Sequence, residues 1–112
     1  MSSYPAGTIA VIFVAQRTGA DDAGYAEAAQ AMDKLARDQT GYVAIDSVRD
    51  TDGLGITVSY WADEAAAKAW RDHPKHTAIR DAGRDHWYSD YSLHVAAITR
   101  SYDWSKSGSE RA

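Results

Sequence analysis

The residues able to do chemistry crowd into one third of the chain, between Ser59 and Tyr91. Ser59-Tyr60-Trp61 ends an apolar run, and Trp70-Arg71-Asp72-His73-Pro74-Lys75-His76 follows nine residues after Trp61. Gly83-Arg84, His86-Trp87-Tyr88 and Tyr91 complete the stretch. It holds three of the four tryptophans and every histidine except His94. Histidine exchanges a proton near neutral pH. Aromatic side chains wall a pocket that holds a small molecule, and a few polar groups orient it. The pattern therefore points to a small-molecule site with proton-transfer capacity. Each residue also has a purely structural reading. Trp61 and Trp70 are common core fillers. His73 is placed to cap a helix that starts at Pro74, His76 to face solvent on it, and Arg84 to neutralise a helix C-terminus. Tyr88 and Tyr91 can pack with their hydroxyls in water.

Other chemistries lack their parts. His73 and His76 are three apart, but Pro74 lies between them and no further ligand pair such as His-x-x-x-His is present, so no metal is expected. Ser59 and Ser89 lack a Gly-x-Ser-x-Gly setting for a nucleophile. Gly53-Leu54-Gly55 is hairpin punctuation, not a phosphate-binding loop. With no cysteine in the chain, disulfides, thiolate metal sites and thiol nucleophiles drop out.

The elements that must position this stretch can be read in order. Residues 8–18 (TIAVIFVAQRT) form a strand that is apolar on both faces: Ile9, Val11 and Phe13 on one, Ala10, Ile12 and Val14 on the other. Asp21 or Asp22 caps a helix whose face carries Tyr25, Ala28, Ala29, Met32, Leu35 and Ala36, with Gly41 placed to end it. Residues 42–49 and 55–61 form a hairpin around Asp50-Thr51-Asp52-Gly53. Asp63 caps a second helix with Ala66, Ala69, Trp70 and His73 on one face. Pro74 breaks it and starts another piece that runs to about Gly83. Residues 86–90 read as an irregular aromatic link and residues 91–102 as the last strand. The polar residues 105–112 (SKSGSERA) are expected to be disordered.

The order β-α-β-β-α-β predicts a single α+β domain over residues 1–104 with the ferredoxin-like motif: a four-stranded antiparallel sheet with helices on one face. Because the strands are apolar on both faces, a second copy is expected to cover the open one, giving a homodimer. The 112 residues leave room for one domain. The net charge is −4, and the basic residues between Asp63 and Asp90 are interleaved with acidic ones. No basic stripe survives, so neither nucleic acid nor an anionic membrane is an expected partner. The apolar run Ile9–Ala15 is too short to span a bilayer and lacks a signal peptide's flanks, so the expected location is cytoplasmic.

The run SYWADEAAAKAWRDHPKHTAIRDAGR, followed by an aromatic link and a strand ending near Tyr102, resembles the antibiotic-biosynthesis-monooxygenase-like superfamily. The resemblance covers about residues 8–104, and its specific part is Ser59 to Arg84. It implies a dimeric α+β barrel with a pocket between sheet and helices in each subunit. Some relatives oxidise polycyclic aromatic quinols with dioxygen and no metal or organic cofactor; others bind and degrade haem; many have no established activity. Trp61 matches the tryptophan at the strand–helix junction of both active branches, and Trp70 the helix tryptophan near haem. Where the haem-degrading branch has its iron-binding histidine this chain has Arg80, and residues 8–18 contain no asparagine. Where the quinol-oxidising branch has an asparagine, this chain has Thr57.

The resemblance and the clustering together imply roles. A cofactor-free oxygenase must deprotonate an electron-rich substrate so that it can pass an electron to dioxygen. His73 or His76 would be the base, and Arg84 or Tyr91 would steady the oxyanion. Phe13, Trp61, Trp70 and Trp87 would be the walls. A small aromatic or apolar ligand and no cofactor are expected. The alternatives are a non-catalytic ligand-binding or stress-associated dimer, and a haem-binding or haem-degrading protein.

Overall fold

A computed structural model describes residues 2–107 of the chain. The strands are β1 (Ile9–Arg17), β2 (Tyr42–Arg49), β3 (Leu54–Trp61) and β4 (Tyr88–Ala97); the helices are α1 (Asp22–Arg37), α2 (Glu64–Arg71) and α3 (Pro74–Ala82). A π-helical turn, Gly83–Trp87, joins α3 to β4. The sheet order is β2-β3-β1-β4 and every pairing is antiparallel. This is the expected ferredoxin-like α+β arrangement, with α2 and α3 sharing the place of its second helix.

The local causes are visible at the joints. Asp21 caps α1, accepting from the Gly24 amide at 3.1 Å, and Asp63 caps α2, accepting from the Ala66 amide at 2.8 Å. In the β2–β3 hairpin Asp50 Oδ1 accepts from the amides of Asp52 and Leu54, and Gly53 takes φ 95°. A carboxylate gathering two turn amides stabilises a tight reversal, and a left-handed φ favours glycine. Pro74 is the first residue of α3, where its missing N–H costs nothing.

Four sequence-based expectations shift. α1 ends at Arg37, capped by Asp38, so Gly41 (φ 83°) does not terminate the helix; it turns the chain into β2. The inward face of α2 is Ala66, Ala67 and Trp70, leaving Ala69 exposed. The expected link 86–90 is instead a π-helical turn followed by β4 from Tyr88. β4 also stops at Ala97, because β1 begins at Ile9, the register partner of Ala97. Bonds from Gly7 to Ile98 and from Ile98 to Thr8 extend the pairing one step only. The expected disordered tail falls on 105–107, an exposed turn, and on 108–112, which lie outside the described residues.

The core lies between the sheet and the helices. Trp61 is fully buried at its centre, with Ile9, Ala36, Ala67 and Trp70 around it. The opposite sheet face carries Ile12, Val14, Ile56, Val58 and Val48, as the register pairs show. Val48, Leu54 and Ile56 are 72%, 46% and 41% exposed. No helix among the described residues is long and apolar enough to cross a membrane.

Candidate functional site

A cavity of about 830 Å³ opens between the sheet and the helices. Its floor is the inner face of the sheet: Val11 and Phe13 of β1, Ser47 of β2, Thr57 and Ser59 of β3, and Tyr91, Leu93 and Val95 of β4. α1 contributes Tyr25, Ala28 and Met32, and α2 contributes Trp70. α3 and the π-turn contribute His76, Ile79, Arg80, Arg84 and Trp87. Leu93 and Val95 are 50% and 54% exposed because the helices do not reach over the edge strand β4. The cavity is mostly apolar, and its polar groups are spread around it: Ser47, Thr57 and Ser59 on the floor, Gln30 and Asp33 of α1, Glu64, Lys68 and Arg71 of α2, and His76, Arg80 and Arg84 beyond them.

The structure separates the two histidines. His73 is the N-cap of α3: its Nδ1 accepts from the Lys75 amide at 3.2 Å, and it does not line the cavity. His76, inside the first turns of α3, does. Its ring stacks on Trp70, with centroids 4.6 Å apart and planes 8° apart, and its Nδ1 lies 2.9 Å from the Trp70 carbonyl oxygen. A carbonyl only accepts, so Nδ1 carries the proton and Nε2 keeps its lone pair in the neutral ring. Burial pushes the His76 pKa below 6.5; the bond to Trp70 opposes this, and the charge of Arg80 reinforces it.

Trp70 is the hinge of the wall. One face meets His76, and Trp61 stacks on it at 5.7 Å. Trp61 is not itself in the wall. It sits behind Trp70, and its indole N–H donates to Ser59 Oγ at 3.0 Å. The tryptophan expected at the strand–helix junction is therefore a backing residue that fixes Trp70. Phe13, Trp70 and Trp87 do line the cavity. Trp87 is held by its indole N–H on Asp21 Oδ2 at 3.3 Å and by its carbonyl, which accepts from the Thr18 amide.

Arg84 and Tyr91 meet across the mouth: Arg84 Nε donates to the Tyr91 hydroxyl oxygen at 2.6 Å. That leaves the Tyr91 O–H proton free to donate, and the neighbouring cation strengthens it as a donor. Phe13 packs on Tyr91 at 5.1 Å. Tyr88, which packs edge-on to Phe13, has its phenol pKa pushed well up, mainly by burial, and so stays protonated. On the floor the hydroxyls of Ser47 and Thr57 lie 2.7 Å apart. One O–H is used between them and the other is available to a ligand.

Sequence reasoning missed Arg80, Tyr88 and the Ser47–Thr57 pair as wall groups. Arg80 had a usable signal: it lies four residues after His76 on a helix begun by Pro74, hence on the same face. Tyr88 and Ser47 depended on strand register, which the sequence alone does not display. Among the described residues no three His, Asp or Glu side chains gather as a metal-binding group.

Comparison with known proteins places this geometry among relatives. Residues 8–82 match the family model described as antibiotic biosynthesis monooxygenase. An uncharacterised protein of Bacillus subtilis (strain 168), YqjZ, is 45% identical over 91 residues, which cover 81% of this chain and 79% of that protein. Among solved structures, a variant of SnoaB, a cofactor-independent oxygenase from Streptomyces nogalater, superposes with a TM-score of 0.72 at 16% identity, covering 83% of this chain and 94% of that one. PA3566 from Pseudomonas aeruginosa gives 0.70 at 11% identity, covering 85% and 97%. At these identities the structural likeness speaks for the fold.

Proposed function

The chain belongs to the antibiotic biosynthesis monooxygenase family, and from that premise we propose that its cavity oxidises a hydroxylated aromatic molecule with dioxygen, without a bound cofactor. The observation that carries this reading is the half-buried His76 fixed on Trp70 in the wall of an aromatic cavity, where burial favours its neutral form. His76 Nε2 takes the phenolic proton. The resulting oxyanion is held by the Tyr91 O–H, itself polarised by Arg84. The electron-rich anion passes an electron to dioxygen, and the radical pair combines at the ring carbon para to the oxygen. The peroxide takes back the proton held by His76, and the para ring hydrogen then leaves as a proton while the O–O bond breaks; that proton and the released hydroxide depart as water and leave a quinone. The sum, a phenol plus O₂ giving a quinone plus H₂O, needs no outside reductant.

The rest of the wall serves binding. Phe13 and the exposed edges of Trp70 and Trp87 border the ring system, and the Ser47–Thr57 hydroxyl pair offers a hydrogen bond to a second oxygen on it. SnoaB is described as cofactor-independent, which agrees with the absence of a cofactor from this scheme. Haem suits the donor set poorly. The one imidazole in the described wall lies flat against Trp70, and the next inward residues on α3 are Ile79 and Arg80.

The working unit in this reading is a homodimer. The outer face of the sheet exposes Val48, Leu54 and Ile56, and a second copy related by a twofold axis would cover them. Oxygen uptake by the purified protein with a panel of anthrols and naphthols that have a free para carbon tests the proposal. Consumption above the autoxidation rate, with quinone formed in equal amount, supports it. Uptake at the background rate across the panel overturns it.

A further inference from the structure

One wall group has no task in the oxidation itself. Arg80 lies one helical turn beyond His76 and lines the same cavity. Its Nε is buried and has no hydrogen-bond partner among the described residues. Asp81, its sequence neighbour, stands 3.8 Å from that nitrogen, the two side chains being 37% and 60% exposed, and Asp72 is close enough to feel the Arg80 charge. Of the other cations of the wall, Arg71 and Arg84 hold hydrogen bonds, whereas Lys68, like Arg80, has only a carboxylate neighbour beyond hydrogen-bond distance. Lys68 lies 3.7 Å from Glu64, Arg71 donates to Asp72 at 2.9 Å, and Arg84 donates to Tyr91. A buried donor left without an acceptor is costly, and a guanidinium is the side chain best shaped to receive a carboxylate.

We propose that the cavity selects a planar aromatic acid, whose carboxylate seats on Arg80 while its hydroxyl lies toward His76 and Tyr91. The inference rests on the reading of the cavity as a phenol-oxidising site and names the class of phenol. His76 and Arg80 are four residues apart on one helix face, so their Cβ atoms are separated by roughly 5–6 Å. The two side chains therefore stand side by side on one face of α3, where a rigid aromatic acid can present its carboxylate to one and its oxygen-bearing ring to the other. The seat also couples to the chemistry. Arg80 is one of the charges that disfavour protonation of His76. A carboxylate on Arg80 neutralises that charge, so the bound acid raises the basicity of the group that deprotonates it.

The test is calorimetric titration of the full-length protein with anthraquinone-2-carboxylate and with its neutral isostere, anthraquinone-2-carboxamide. Neither probe is oxidised further, so turnover plays no part. The carboxylate is expected to bind at least tenfold more tightly. Arg80→Gln is expected to remove about tenfold of that affinity and leave the carboxamide within twofold, and Arg80→Lys to restore part of it. Equal affinities of the two probes for the wild type, binding of neither, or a preference undiminished in Arg80→Gln overturns the proposal. The wild-type comparison decides even if the variant does not fold. Acid selectivity without oxygen uptake would keep the Arg80 seat and remove the oxidase reading; uptake without acid selectivity would do the reverse.

Discussion

The imidazole of His76 lies flat on the indole of Trp70, 4.6 Å away and 8° from parallel, while its Nδ1 is bound to the carbonyl oxygen of that same residue. One residue thus fixes both the plane and the tautomer of the histidine. The relationship exists because Pro74 starts a new helix. α2 ends at Arg71, its C-cap amide at Asp72 bonds back to Lys68, and the chain re-enters a helix only after His73. At the break the Trp70 carbonyl accepts from the His73 amide at 3.2 Å, and the His76 ring is its second donor.

The titration of His76 sets a pH dependence. Its folded pKa lies below the ordinary 6.5, chiefly through burial. Between the folded value and 6.5 the unfolded chain binds more protons than the folded one, so stability rises with pH there. The His76 contribution is complete above 6.5 and is lost as the pH falls through the folded value. Melting temperature followed from pH 8 to pH 5 should decline at the acid end, and His76→Gln should flatten that decline. The rate of phenol oxidation should remain high below pH 6.5 and then fall as His76 becomes protonated.

Trp61 and Trp70 should respond differently to truncation. Trp61 is fully buried and touches no ligand space, so Trp61→Ala should cost about 3–5 kcal/mol of stability, read by urea unfolding. Trp70→Phe keeps an aromatic face and should unfold much less readily than that variant. It should still weaken ligand binding and release His76, detectable as a rise in the imidazole pKa by NMR.

The outer sheet face should govern assembly. Ile56 is 41% exposed and lies between Val14 and Val48 in the register. Light scattering should give about twice the 12.2 kDa chain mass for the wild type. Ile56→Lys should shift the population to monomer, because a buried unpaired ammonium at such an interface is strongly unfavourable. A wild-type monomer at micromolar concentration would contradict the dimer.

The fold was legible because its joints are local. Asp63 as a cap, Pro74 as a break and Asp50–Gly53 as a turn each act within a few residues, and all stand where the sequence places them. The π-turn at Gly83–Trp87 was not legible, since it is held from outside by Thr18, Arg17 and Asp21. The end of β4 was misread for the same reason: its length follows the partner strand, not its own composition. Within the site, the cluster of aromatics and histidines was visible. The division of labour was not. Whether a tryptophan walls a cavity or backs the wall depends on how α2 crosses the sheet, and that crossing put Trp70 in front and Trp61 behind.

The most direct measurement compares two single variants, His76→Ala and His73→Ala, in oxygen uptake with a phenolic substrate that the wild type oxidises. Loss of a positioned general base should lower the rate by about 100-fold or more, so His76→Ala should be nearly inactive while remaining folded. His73 caps α3 outside the cavity, and His73→Ala should keep most of the rate with only a small loss of stability. Equal rates for His76→Ala and the wild type would contradict the account.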